Sequence, residues 1–399
     1  MWHFHCQNIL YGEDALNFLE KIKGKKCFIV SDKTIEEIGL LKILTDKLDK
    51  FGKEYQIFTE VVPAPHEDDV MKGKEQCNKY KPELIIALGG GSVIDTAKAI
   101  WAMYEYPEYT LNNIDPLSDE LYDFANKAKM VAIPTTSGTG SEVTWAVVIS
   151  RLQNNVWRKM SMTHMVLVPT FAIVDPVFTM GLPPQLTVAT AFDALSHSLE
   201  AYISMWKNEF SNAMGLKAIE LIFKYLPIAY KDGSNKEARD YLHQAATMAG
   251  LSFSNSQAHL AHALGHSSSS IFHIHHGQSV GLYLPYITQF CLNAPGDNNE
   301  SIVMYSDLAK KLGWANWNDD AKSAAFSVVA KLKELQNSVD FKSNLKDLGI
   351  SKEDFDNNLE TLVSLFFQDP SGVMAPRIPG KTEITRLYQY AFEGKDVDF

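Results

Sequence analysis

A chain of 399 residues exceeds one average domain, so two domains are expected, and its net charge of −11 argues against a nucleic-acid partner, which needs a basic face. Cys6, Cys27, Cys77 and Cys291 are far apart with no C-x-x-C pair, which speaks against a disulfide scaffold and against a Cys-ligated zinc. Met1–Gly12 lacks the pattern of a signal peptide, and no apolar run approaches the roughly 18 residues of a membrane helix, so a soluble, cytoplasmic protein without a membrane partner is expected.

From the start to about Pro183, short apolar runs alternate with amphipathic segments. Cys27–Val30 reads as a buried strand, and Thr34–Phe51 follows with Ile and Leu at helical spacing. Tyr55–Phe58 is a second strand and His66–Tyr80 a polar helix. Leu84–Leu88 is a third strand, apolar throughout as a strand covered on both faces should be. It runs into Gly89-Gly90-Gly91-Ser92, after which Val93–Met103 is helical. Met130–Ile133, Trp145–Ile149 and Phe171–Val174 add further strands. Such alternation predicts a mostly parallel, doubly wound sheet. Beyond Pro183-Pro184 strand patterns nearly vanish. Leu186–Ser204, Ala213–Tyr225, Ala238–Phe253, Ile302–Leu312, Ala321–Leu335 and Phe355–Phe367 are helical, and Asn293–Asn299 is a surface loop. The expected fold class is an α/β domain over residues 1–182 followed by an all-α domain over 183–399.

A strand, three glycines, a serine and a helix form a phosphate-binding device, because glycine lets the backbone approach a pyrophosphate and a helix N-terminus offers free N–H groups. The spacing is not G-x-G-x-x-G, so a tight turn after a buried strand is the plain alternative. A second polar turn, Pro134-Thr135-Thr136-Ser137-Gly138-Thr139-Gly140-Ser141-Glu142, offers hydroxyls and glycines for ribose and phosphate. Asp32 ends the first clear strand, where a carboxylate accepts from adenosine ribose hydroxyls and repels a 2′-phosphate; a helix cap is its ordinary role. These features make residues 1–182 the NAD-binding domain.

Six of the twelve histidines lie between His259 and Gly277. His262 and His266 are spaced i, i+4, as are Asp193 and His197, with Glu200 one turn further along the same face, and His276 precedes Gly277. Imidazole and carboxylate suit a borderline divalent metal, and two such pairs on facing helices can surround one ion. Surface histidines are the alternative.

In order along the chain, G-G-G-S-V-I-D-T-A-K at 89–98, P-T-T-S-G-T-G-S-E-V-T at 134–144, A-I-V-D-P with L-P-P at 172–184, D-A-L-S-H-S-L-E-A-Y at 193–202 and H-A-L-G-H…H-H-G at 262–277 resemble the iron-dependent (group III) alcohol dehydrogenases of the dehydroquinate synthase-like fold. The resemblance implies Asp193, His197, His262 and His276 as metal ligands and His266 beside the metal, where an imidazole's titration near neutrality suits it to relay a proton. It implies Gly90, Gly91, Ser92, Asp95, Thr135 and Thr136 around the dinucleotide, with Thr139 in the same hydroxyl loop and Lys159 as a cofactor-contacting lysine. The cofactors implied are NAD(H) and a divalent metal, Fe²⁺ by family and Zn²⁺ or Mn²⁺ by ligand chemistry. The activity implied is metal-dependent alcohol dehydrogenase or aldehyde reductase on a short alcohol or aldehyde, and a homodimer or larger homo-oligomer is expected. Departures from the family pattern are Val93 for proline, Ala64-Pro65-His66 for N-P-T, His275 for proline and Ala375 for asparagine. Ser267–Ser270 stands where the family is small and apolar. Its hydroxyls could bind a polar or anionic group on the substrate, or bond back onto the helix. Rival readings are a glycerol dehydrogenase-like enzyme, a dehydroquinate synthase-like lyase, which would gather Lys and Arg near the histidines, and a non-catalytic binder.

Overall fold

The computed structural model describes residues 4–63, 65–108, 124–153, 156–296 and 299–399. The chain divides into two compact units, Met1–Gly181 and Leu182–Phe399.

The first unit runs β1 (Asn8–Tyr11), β2 (Lys26–Val30), α1 (Lys33–Glu37), α2 (Leu40–Lys50), β3 (Glu54–Phe58), α3 (Glu67–Tyr80), β4 (Leu84–Gly89), α4 (Gly91–Glu105), β5 (Lys129–Pro134), β6 (Ala146–Gln153), β7 (Val156–Thr163) and β8 (Phe171–Val174). Six strands form one parallel sheet in the order β1-β8-β5-β4-β2-β3. In β4, Leu84, Ile86 and Leu88 join a core layer with Leu41, Leu44 and Leu48 of α2. Ile85 and Ala87 face the opposite layer, with Ile94, Ile100 and Trp101 of α4 and Val70 and Cys77 of α3. Period-two side chains buried on both faces explain why this strand has no polar position. Each fully buried leucine here contributes roughly 1.5–3 kcal/mol of transfer free energy. This is the doubly wound α/β architecture expected from the pattern.

Two local expectations need correction, and one strand has no counterpart among them. Trp145–Ile149 was expected to extend the sheet, but β6 pairs antiparallel with β7 in a separate hairpin, since its nearest partner is the strand that follows it. Thr34–Phe51 is two helices, broken at Gly39, whose φ of +84° belongs to the left-handed region where glycine is at ease. The four-residue β1 lies at the sheet edge beside β8 and carries no periodic signal.

The second unit is helical: α5 (Pro184–Ile203), α6 (Glu209–Lys231), α7 (Lys236–Ser254), α8 (Leu260–Phe272), α9 (His276–Leu292), α10 (Glu300–Lys311), α11 (Ala321–Ser338), α12 (Lys352–Gln368) and α13 (Lys381–Glu393). No strand occurs among its described residues, and no described helix is long and apolar enough to cross a membrane. Every residue of α5 from Thr187 to Ile203 is buried, so this helix is the unit's central post. Glycines bring its neighbours close. A Cβ on Gly265 of α8 would stand 2.5 Å from Val280 of α9, and one on Gly281 of α9 would stand 2.7 Å from Phe192 of α5. Buried polar groups on α5 therefore face α8 and α9 at short range.

Candidate active site

Asp193, His197 and Glu200 project from buried α5, where a polar side chain is costly unless it has work to do. Around the single oxygen Asp193 Oδ1 stand His276 Nε2 at 3.4 Å, His262 Nε2 at 3.9 Å and His197 Nδ1 at 3.9 Å. Two donors each about 2.1 Å from one ion are roughly 3–4 Å apart, so these separations fit a shared metal. One ligand atom from each of Asp193, His262 and His276 lies within 4.8 Å of the others, and His262 Nε2 is buried with no hydrogen-bond partner. His197 stands beside that trio, its ring stacked on Phe253 at 4.1 Å and on His262 at 4.5 Å. The donor set is one carboxylate and imidazoles, which fits iron(II).

Two carboxylates orient the imidazoles. Glu200, wholly buried, lies 2.5 Å from His262 Nδ1, which leaves Nε2 as the outward lone pair. Burial pushes the Glu200 carboxyl up, but His259 and His262 outweigh it and hold it well below the usual carboxylate range. Burial pulls His262 down, and Glu200 in turn lifts it above its ordinary value. Asp369 Oδ2 is 2.6 Å from His266 Nδ1, while Asp369 Oδ1 accepts from the Ser371 amide at 2.9 Å. Burial raises the Asp369 carboxyl, yet the contacts with His266 and Ser371 bring it down to about 2. His266 stacks on His276 with centroids 5.1 Å apart. The side chains of His266 and His276 are about a third exposed, whereas Asp193 and His262 are closed in, so the cluster opens on the His266–His276 side.

Sequence reasoning missed Asp369. It lies 103 positions from His266, and D-P-S-G reads as a turn start, which it also is. Gly277 sits in the first turn of α9 against α5. A Cβ there would be 2.0 Å from Ala189 O and 3.0 Å from Asp193 Cβ.

The four serines after His266 are committed within the protein. Ser267 Oγ bonds to Ala263 O, Leu264 O and Tyr388 OH, and Ser268 Oγ to Tyr283 OH. Ser269 and Ser270 donate to the carbonyls of Gly265 and His266 one turn back. Their geometry matches the back-bonding alternative rather than a polar substrate pocket.

In the first unit the parallel strands deliver three features to one edge of the sheet. Asp32 follows β2, Gly90–Ser92 follow β4, and Thr135–Thr139 follow β5. Since β3 lies on one side of β2 and β4 on the other, the strand order reverses between β2 and β4, the crevice where open α/β sheets bind ligands. A Cβ on Gly89 would meet Val93 at 2.5 Å and one on Gly91 would meet Thr139 at 2.9 Å, so these glycines bring helix and loop together. Gly90 caps α4 with no side-chain bond to its first amides. Thr136 Oγ1 lies 3.6 Å from where a Gly90 Cβ would be. Asp32 is also the helix cap the plain reading allowed, accepting from Ile35 N at 3.0 Å. Asp95 accepts from Ser141 Oγ at 2.6 Å and from Val148 N at 2.9 Å. The fully buried Lys98 donates to Ser141 Oγ, Thr144 O and Ala146 O. Together they tie the hydroxyl loop and the hairpin to α4. Lys159 stands on β7 opposite Ser150, its side chain outside the described part, as is Ala64.

The iron-containing alcohol dehydrogenase family model matches residues 6–176, and the model for that family's C-terminal part matches residues 187–392. The NADPH-dependent butanol dehydrogenase of Clostridium saccharobutylicum is 33% identical over 396 residues, covering 98% of both chains. The bifunctional aldehyde-alcohol dehydrogenase of Escherichia coli (strain K12) is 33% identical over 417 residues, and the match spans 99% of this chain but only 47% of that longer protein. Among solved structures, a 1,3-propanediol oxidoreductase superposes with a TM-score of 0.88 at 27% identity, covering 98% of this chain and 100% of that one. With both units matched and a relative one-third identical from end to end, the chain belongs to the iron-containing alcohol dehydrogenase family and is an oxidoreductase working with a nicotinamide cofactor.

Proposed function

We propose that this enzyme interconverts short, unbranched primary alcohols and their aldehydes, with Asp193, His197, His262 and His276 holding one divalent iron. The observation carrying this reading is the convergence of three imidazole nitrogens on Asp193 Oδ1 within 4 Å, beside the unpartnered His262 Nε2. When bound, the iron supplies Lewis acidity toward the substrate oxygen and the nicotinamide supplies the hydride chemistry. The protein's part is orientation and proton handling. Asp369 holds His266 by Nδ1, so Nε2 is the atom that exchanges the hydroxyl proton with solvent, on the exposed side of the cluster. The α4 N-terminus and Gly90, Gly91 and Ser92 receive the pyrophosphate, with Thr135, Thr136 and Thr139 beside it, and Asp95 fixes that loop. The free thiols of Cys6, Cys27, Cys77 and Cys291 suit a reducing, cytoplasmic setting.

With the serine hydroxyls spent on the helix and on two tyrosines, we infer that the substrate carries no required anionic tail. Cofactor choice rests on Asp32, whose carboxylate repels a 2′-phosphate. Following reduced nicotinamide absorbance over a panel of alcohols and aldehydes tests both points. Plain alkyl aldehydes should exceed carboxylate- or sulfonate-bearing ones of equal length in kcat/KM. NADH should be preferred to NADPH, and Asp32→Gly should move that ratio toward NADPH. A preference for the anionic substrates, or for NADPH in the native enzyme, would refute the corresponding assignment.

A further inference from the structure

Glu200 makes four close contacts in a place where none of its surface reaches water. Its Oε1 accepts from the Ala261 amide at 2.5 Å and lies 3.1 Å from His259 Nδ1. Its Oε2 accepts from the His259 amide at 3.1 Å and lies 2.5 Å from His262 Nδ1. His259 is the cap of α8 and Ala261 its second residue, so a carboxylate from α5 closes the N-terminus of the helix that carries His262 and His266. The helix end is the positive end of its dipole, which favours a full negative charge there. Within the same side chain, the fourth contact sets the ring of His262. An imidazole that gives Nδ1–H to a carboxylate keeps Nε2 as the lone pair, and that nitrogen is the one facing Asp193.

We infer that Glu200 is the positioning residue that sets iron affinity, by locking α8 to α5 and fixing His262 as the Nδ1–H tautomer with Nε2 presented to the metal. The inference rests on His262 being a ligand, as proposed above. Glu200→Gln keeps the shape and removes the charge. With its NH₂ in the Oε1 place the amide meets the Ala261 N–H, and its oxygen is a weaker acceptor for His262 Nδ1–H; turned over, the NH₂ meets the His259 N–H and points a donor at His262 Nδ1, which favours the other tautomer.

The test is anaerobic Fe²⁺ binding to the full chain, competed with a chelator well below the melting temperature. Wild-type protein should bind one Fe²⁺, and Glu200→Gln should bind it roughly 10–100-fold more weakly while keeping its far-UV circular dichroism. A folded Glu200→Gln protein with wild-type affinity overturns the inference and leaves the ligand set standing. Wild-type protein that binds no Fe²⁺ overturns the ligand set instead. Should the variant fail to fold, the imidazole N–H proton spectrum of wild-type protein decides. A downfield, exchange-protected signal assigned to His262 Nδ1–H supports the assignment, and a signal from His262 Nε2–H contradicts it.

Discussion

His262→Ala and Asp193→Ala proteins are expected to keep the helical far-UV spectrum and to lose bound iron together with nearly all turnover. Each residue supplies one of four proposed ligands, and Asp193 Oδ1 is the point around which the three imidazoles gather. Lewis-acid stabilisation is worth several kcal/mol, and each 1.36 kcal/mol is tenfold in rate, so kcat should fall by about a thousand-fold or more. Removing His262 also leaves Glu200 buried with one partner fewer, although the amides of His259 and Ala261 still hold it, so the loss of stability should be modest beside the loss of rate. Metal analysis and kcat on the same samples provide the check. Full iron occupancy in both variants would remove these residues from the ligand set.

Gly277→Ala should cost both stability and metal affinity, although the new group is a single methyl in the first turn of a helix. The methyl carbon would stand 2.0 Å from the Ala189 carbonyl oxygen and 2.8 Å from its carbon. Those are backbone atoms of the buried central helix, so no side-chain rotation relieves the clash. The start of α9 has to lift away from α5, and His276 leaves Asp193 with it. Overpacking of this kind costs about 1–3 kcal/mol or more. A lowered melting temperature and weakened Fe²⁺ binding are the expected pair of results. Wild-type values for both would mean that the close approach of α9 to α5 is not what holds His276 in place.

What the sequence could reveal follows from where each signal comes from. Leu84–Leu88 is legible because a strand buried on both faces has no polar residue, and the phosphate turn is legible because it follows at once. The i, i+4 pairs show which side chains share a helix face, and α5 and α8 do carry them as read. Helix α9 was not legible as a helix. All but its first few residues are buried, so it has no amphipathic period, and Gly281 and Pro285 imitate breakers. Strand β6 has the composition of a sheet strand, and only its pairing with β7 reveals a hairpin. Glu200 was visible as a third group on the α5 face, but its bonds to the start of α8 depend on helix packing. Asp369 was out of reach, because a contact across 103 positions leaves no local pattern. The serine run Ser267–Ser270 is a similar case: its bonding partners cannot be read from its composition. Four consecutive serines imply polarity, and only their hydrogen bonds show that the helix carbonyls and two tyrosine hydroxyls engage it.

On the proposal above, one iron held by Asp193, His197, His262 and His276 makes this chain active on alcohols. Chelator-stripped protein titrated with Fe²⁺ under anaerobic conditions, with NADH formation from a panel of short primary alcohols followed at each addition, tests it most directly. The expected result is negligible activity in the stripped protein and a linear rise that breaks at one iron per chain. Full activity in the stripped protein, or no activity at one bound iron across short alcohols and their aldehydes, would contradict it.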